Sequence, residues 1–337
     1  MTSPSPAAAA APLLTVTDLV VEFSTADGVV RAVDGLTYSV DAGRTLAIVG
    51  ESGSGKSVSS LAVMGLLQSP PARIAGGSIR FNGTELLTMS RKQHRAYCGE
   101  HIGMVFQDAL AALNPVYTVG WQLTEALRAR HGFSRRQART RAIELLDMVK
   151  VPAARQRVSE YPHQFSGGMR QRVMIAMALA MDPEVLIADE PTTALDVTVQ
   201  AQIMTLLAEI QAERQMGLIL ITHDLGVVAT VADQVTVMYA GRAVEQAPVL
   251  EAYGSPAHPY TKALLQSIPR LDRKGGELEV IPGRPPDLLA VPAGCPFHPR
   301  CERAEDVCRT GAPPPVVELP GGRSAACHFA QEVMTDA

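Results

Sequence analysis

The chain has 337 residues, a formal charge of −4 at pH 7, one tryptophan and aromatic residues at only 4% of positions. That length allows one large domain with a smaller appendage, while interspersed charges and scarce aromatics give no footprint for nucleic acid. No apolar run is long enough to span a bilayer; the richest, Val173 to Met181, is too short and follows the basic cluster Arg170-Gln171-Arg172.

Residues 1–12 are an alanine–proline tract without Lys or Arg, which lacks the basic start of a secretory signal and reads as the disordered tail of a cytosolic protein. From Leu13 to Val40 the apolar positions alternate (Leu14, Val16, Leu19, Val21, Phe23, then Val30, Val33, Leu36, Tyr38, Val40), which predicts antiparallel strands around a turn at Asp27-Gly28. Thr45 to Val49 reads as a buried strand. It runs into Gly50-Glu51-Ser52-Gly53-Ser54-Gly55-Lys56-Ser57, a full match to G-x-x-x-x-G-K-[ST]. A strand, a glycine-rich turn and a helix beginning near Lys56 would aim backbone N–H groups and a positive helix end at phosphate oxygens. Lys56 would reach the β- and γ-phosphates and the Ser57 hydroxyl would ligate Mg²⁺. These features imply binding of a nucleoside triphosphate.

A strand-like stretch follows at Gly77 to Gly83, then helical spacing from Trp121 to Met148 with many arginines off the apolar face. Val185 to Ala188, a helix around Ile203 to Ala212, and Leu218 to Ile221 continue the alternation of strand and helix, which implies a mostly parallel sheet covered on both faces. After Gly254 prolines become frequent and four of the five cysteines appear. The predicted division is therefore a P-loop unit at 13–254 and an extension at 255–337.

The strand Val185 to Ala188 ends in Asp189-Glu190, where the first acid can support Mg²⁺ and the second can polarise an attacking water. Two rarer strings bracket these acids: Phe165-Ser166-Gly167-Gly168-Met169-Arg170-Gln171-Arg172 upstream, and Thr193-Ala194-Leu195-Asp196 then Ile221-Thr222-His223-Asp224 downstream. With these in order, Leu13 to Gly254 resembles the ATPases of ABC transporters. The resemblance implies that Gly50 to Ser57, including Ser52, Gly53, Ser54, Gly55 and Lys56, form the Walker A loop. Asp189 would be the Walker B aspartate and Glu190 the catalytic base. Gln107, in Val105-Phe106-Gln107-Asp108, would be the Q-loop glutamine contacting Mg²⁺ and water. His223 would be the switch histidine and Asp196 the D-loop aspartate. Ser166, Gly167 and Gly168 would be the signature that closes over the ATP of an opposing subunit. Met169 departs from the glutamine many members carry. Phe23 stands where the adenine-stacking aromatic is expected, with a place in the core of the β layer as its other reading.

Cys295, Cys301, Cys308 and Cys327 are spaced C-x₅-C-x₆-C-x₁₈-C. In a reducing compartment disulfides are disfavoured, and four thiolates suit either tetrahedral Zn²⁺ or a 4Fe–4S cluster; the absence of C-x₂-C knuckles tips the expectation towards the cluster. It would staple a small cysteine-rich C-terminal domain, with redox sensing as the other role. Cys98 stands apart as a plain thiol. Cys295-Pro296-Phe297-His298-Pro299-Arg300-Cys301, Ser255 to Thr261, Ile281-Pro282-Gly283 and Tyr161 to Phe165 together resemble the oligopeptide/dipeptide importer branch of that family, some members of which hold a 4Fe–4S cluster in this region.

The fold implied is an α/β P-loop ATPase with a parallel core, an antiparallel β layer and a helical subdomain between Gln107 and the signature. The activity implied is ATP hydrolysis driving import of peptides, with nickel, glutathione or another small solute as alternatives and a soluble, non-transport ABC ATPase as the rival class. The partners implied are two transmembrane permease subunits, a second ATPase subunit (a heterodimer or a homodimer) and an extracytoplasmic substrate-binding protein, with no nucleic acid. The expected location is the cytoplasmic face of the membrane.

Overall fold

The computed structural model describes residues 11–193, 195–268 and 281–336. Residues 1–10 of the expected tail and Ala194 of the Thr193–Asp196 string lie outside them. The strands in chain order are β1 (Leu14–Thr25), β2 (Gly28–Val40), β3 (Thr45–Val49), β4 (Ala72–Phe81), β5 (Thr84–Glu85) and β6 (Ile102–Val105). They continue with β7 (Val185–Asp189), β8 (Gly217–Thr222), β9 (Gln234–Tyr239), β10 (Arg242–Pro248), β11 (Val317–Leu319) and β12 (Arg323–Ala325).

Two sheets form. The first, ordered β2-β1-β4-β5, is the antiparallel layer expected from the alternating N-terminal pattern. The second is ordered β11-β12-β10-β9-β3-β8-β7-β6; its pairings from β9 to β6 are parallel, and those from β11 to β9 antiparallel. Every residue of β3, β7 and β8 is buried. That explains why these strands read as unbroken apolar runs: covered on both faces, they have no solvent side to mark with polar residues. Each Leu, Ile or Val so buried contributes about 1.5–3 kcal/mol relative to an exposed one. Polar chemistry is thereby confined to the strand ends.

The helical subdomain follows Gln107. Helices Val119–His131 and Arg135–Met148 are opened by Thr118 and Ser134, whose hydroxyls accept from the backbone N–H of Trp121 and Gln137. Leu123, Leu127, Ala142, Leu145 and Leu146 from these helices share one apolar cluster with Val173, Ile175 and Ala176 of the helix Gly167–Ala178. That cluster couples the subdomain to the segment bearing the predicted signature.

The expected separate cysteine-rich domain is corrected by the structure. β12 pairs with β10, through Glu245↔Ala325 and Gln246↔Ser324, so the extension prolongs the main sheet beyond residue 254. Tyr260 and Phe297 also share an apolar cluster with Val49, Val237 and Tyr239. The residues after Gly254 continue the main sheet and cover the antiparallel edge at β10, which would otherwise leave unpaired backbone groups exposed.

Candidate active site

Three elements meet at the ends of the parallel strands. The P-loop leaves β3 and returns as the helix Lys56–Val63, with Gly55 in the left-handed region (φ 98°) as its N-cap. A Cβ at Gly50 would lie 2.2 Å from the Met238 carbonyl oxygen, and one at Gly55 would lie 2.3 Å from the Ala32 carbonyl oxygen. Glycine at these positions lets β9 and β2 approach the loop directly. The Gly241 N–H donates to the Ser54 carbonyl at 3.1 Å, and the Asp34 N–H donates to the Gly241 carbonyl at 2.9 Å, so the β9–β10 turn braces the loop.

Lys56 is buried, and its Nζ donates to the carbonyls of Gly50 at 2.7 Å and Glu51 at 2.9 Å. Burial pushes its ammonium below the usual lysine range, while the carboxylates of Glu190, Asp189 and Glu51 oppose that shift. The Ser57 hydroxyl donates to Asp189 Oδ1 at 2.9 Å. Residues 132 positions apart are thus within hydrogen-bond reach, as one Mg²⁺ held between a hydroxyl and a carboxylate requires. Burial raises the Asp189 carboxyl, a shift the Ser57 hydrogen bond opposes. The donor set fits Mg²⁺ and a triphosphate.

Around the next residue three side chains converge. Gln107 Nε2 donates to Glu190 Oε2 at 2.9 Å, the Thr193 hydroxyl donates to the same oxygen at 2.9 Å, and His223 Nδ1 stands 3.4 Å from Glu190 Oε1. Glu190 itself has φ 45°, a left-handed backbone rare for a non-glycine residue and costing on the order of 1–3 kcal/mol. Its N–H donates to the Ile221 carbonyl at the end of β8. That strained geometry turns the side chain out of the sheet, towards Gln107 and His223.

The other predicted residues occupy different places. Ser166 caps the helix Gly167–Ala178, its hydroxyl accepting from the Met169 N–H. Gly167 and Gly168 face Leu195 and Val199, and a Cβ on Gly168 would meet Val199 at 2.5 Å. Asp196 caps the helix Val197–Arg214, accepting from the Val199 N–H at 2.9 Å. Phe23 is cross-strand from Val30 and partly buried against the core of the antiparallel layer. Thr193 was not singled out by sequence reasoning as a site residue, although it belongs to the string that drew attention to Asp196. Glu51, Tyr260 and Arg300, which meet behind the P-loop, carried no chemical signal beyond lying in matched strings.

The structure does not support the expected metal centre as a preformed single-ion site. Cys295, Cys301, Cys308 and Cys327 line one small pocket with His258, His298 and His328. Yet among the described residues no three His, Cys, Asp or Glu side chains come together to hold a metal ion. Burial raises the Cys301 thiol, and pushes Cys295 up to about 11 and Cys327 to about 12. A tetrahedral zinc needs four donors meeting at one point, and this arrangement does not provide it.

Comparison with known proteins decides the family. The ABC transporter profile matches residues 33–193, and the profile of the oligopeptide/dipeptide transporter C-terminal region matches residues 244–308. The oligopeptide transport ATP-binding protein OppD of Salmonella typhimurium is 53% identical over 315 residues, covering 94% of this chain and 93% of that protein. The chain belongs to the ABC transporter ATP-binding proteins. The dipeptide transport ATP-binding protein DppD of Bacillus subtilis is 52% identical over 296 residues, 88% of each chain. Among solved structures, the dimeric bacterial ABC transporter cassette MJ0796 superposes with a TM-score of 0.63 at 26% identity, covering 70% of this chain and 98% of that one. A dimeric post-hydrolysis state of the same cassette, bound to ADP and Pi, matches with a TM-score of 0.63 at 25% identity. As a member of this family the chain is an ATPase. None of its described helices is long and apolar enough to cross a membrane.

Proposed function

We propose that this ATPase powers the import of peptides through separate membrane-spanning subunits, as the names of its relatives imply for them. The observation that carries the substrate class is identity extending through the C-terminal region as well as the cassette, since 94% of this chain aligns with the oligopeptide transport protein. Two permease subunits, a substrate-binding protein outside and a second ATPase subunit complete the assembly, with this chain on the cytoplasmic face. A heterodimer is the arrangement favoured, because Met169 makes this chain's signature unlike the usual one.

In the proposed chemistry the P-loop amides and Lys56 hold the phosphates, and Ser57, Asp189 and Gln107 would hold Mg²⁺. When bound, that ion supplies positive charge against the phosphate oxygens. Glu190 removes the proton of the attacking water. Gln107, Thr193 and His223 fix the orientation of its carboxylate. The signature Ser166-Gly167-Gly168 and Asp196 serve the facing subunit's nucleotide, and Phe23 stacks on the base. Closure on ATP and reopening after hydrolysis drive the permeases between inward- and outward-facing states.

Membrane vesicles carrying the chain with its permeases test the substrate. ATP-dependent accumulation of labelled di- or oligopeptides is expected; accumulation of nickel or glutathione without any peptide overturns the peptide reading.

For the thiol pocket we propose a 4Fe–4S cluster on Cys295, Cys301, Cys308 and Cys327. Each thiolate of such a cluster binds its own iron, so the four sulfurs need not meet at one point. Anaerobically prepared protein is expected to hold about four irons and four acid-labile sulfides per chain. One stoichiometric zinc, or no metal, refutes the cluster.

A further inference from the structure

Glu51 puts a carboxylate into the second position of a loop built to receive a highly charged anion. The structure shows what restrains it. Arg300 Nη1 donates to Glu51 Oε2 at 2.6 Å and Nη2 donates to Oε1 at 2.9 Å, a two-point ion pair across 249 residues of sequence. Only 4% of the Arg300 side chain is exposed. Its Nε donates to the Pro282 carbonyl at 2.8 Å, its Nη1 reaches the Tyr239 hydroxyl at 3.3 Å, and its guanidinium lies 5.8 Å from the Tyr239 ring centre and 6.0 Å from that of Phe297. The backbone of Glu51 is held from the same side: its N–H donates to the Tyr260 hydroxyl at 2.9 Å. Its carbonyl accepts from Lys56 Nζ. One residue of the P-loop is thus gripped by side chain and by main chain from the C-terminal extension, and it in turn holds the phosphate-facing lysine.

We propose that Arg300 is a positioning residue for nucleotide binding: through Glu51 it fixes the P-loop and neutralises a carboxylate that would otherwise repel the triphosphate. A bidentate guanidinium–carboxylate pair sets orientation as well as charge, which a lysine in its place cannot reproduce. The extension therefore acts directly on ATP affinity, 249 residues along the chain from the loop it restrains.

The test is equilibrium titration of the full-length chain with a fluorescent ATP analogue, run beside thermal unfolding without nucleotide. Arg300→Met is expected to weaken binding about tenfold, and Arg300→Lys about threefold; the Glu51→Gln/Arg300→Met double variant should be no worse than Arg300→Met, because the two residues act as one unit. Leu319→Ala, which removes a buried side chain of β11 in the same extension without touching Glu51, should lower the unfolding temperature and leave affinity unchanged. Wild-type affinity in Arg300→Met overturns the proposal. So does a loss of affinity in Leu319→Ala matching that of the Arg300 variants. If Arg300→Met does not fold, Arg300→Lys decides: a threefold loss supports the proposal, and wild-type binding refutes it.

Discussion

Below the P-loop, β3, β7 and β8 are buried at every position and their polar chemistry starts where the strands stop. The C-terminal extension is built differently. Its strands β11 and β12 are three residues each, and its attachment relies on buried polar side chains. Arg300 holds Glu51, and Arg323, 2% exposed at its side chain, lies against the fully buried Glu245. Glu245 Oε1 and Oε2 each accept a backbone N–H at 2.9 Å, from Ala257 and His258. The contrast teaches where each region is vulnerable. A core of unbroken apolar strands tolerates changes at its polar rim as far as folding goes, and loses only chemistry. The extension adds to its apolar contacts a few buried charges that cannot be left alone in a low-dielectric interior.

The largest effect that would sharpen this contrast is at the rim of the core. Glu190→Gln keeps the shape of the side chain and removes the base, so ATP hydrolysis in the assembled transporter should fall about 10²–10⁴-fold. Nucleotide affinity and the unfolding midpoint should stay close to wild type. Near-normal turnover would show that the rate is carried by the facing subunit's site, or that Glu190 is not the base.

In the extension the expected loss is of stability. Arg323→Met leaves Glu245 buried without its counter-charge, which should cost about 3–5 kcal/mol at neutral pH, read from urea denaturation. Burial already pushes the Glu245 carboxyl above its usual range, so protonation should shrink the loss at pH 5. A loss that is the same at both pH values would mean that the packing of the arginine stem, and not its charge, is what matters.

A smaller effect should come from His258, buried in the extension, its Nδ1 accepting from the Tyr260 N–H at 3.0 Å as the cap of the helix Pro259–Gln266. Burial pushes its imidazole down to about 3. The folded protein therefore refuses a proton that the unfolded chain accepts near pH 6.5. Its contribution to stability is complete above that pH and is lost as pH falls from 6.5 towards 3, at about 1.4 kcal/mol per pH unit. His258→Asn can keep the cap and should abolish this share of the slope, so that the two proteins converge between pH 6.5 and 5.5 by roughly 1 kcal/mol. Parallel curves would show that the imidazole is reached by solvent and is not held neutral by the fold.

Which parts of this were readable from the chain follows from how far apart the cooperating residues lie. The P-loop is eight consecutive residues between a strand and a helix, and the Asp189-Glu190 pair ends an unbroken apolar strand. Both depend on local backbone geometry, so the sequence determined them, along with the antiparallel layer. The meeting of Gln107 with Glu190 across 83 residues was open to sequence only through resemblance, because it depends on β6 and β7 lying side by side. Thr193 and the left-handed backbone of Glu190 had no pattern to show them. The extension resisted most. Proline frequency and clustered cysteines mark a change of composition and imitate a separate domain, but composition cannot say which edge of a sheet a three-residue strand will join. Only the tertiary structure placed β12 on β10 and Arg300 on Glu51, since each depends on groups paired across long stretches of chain.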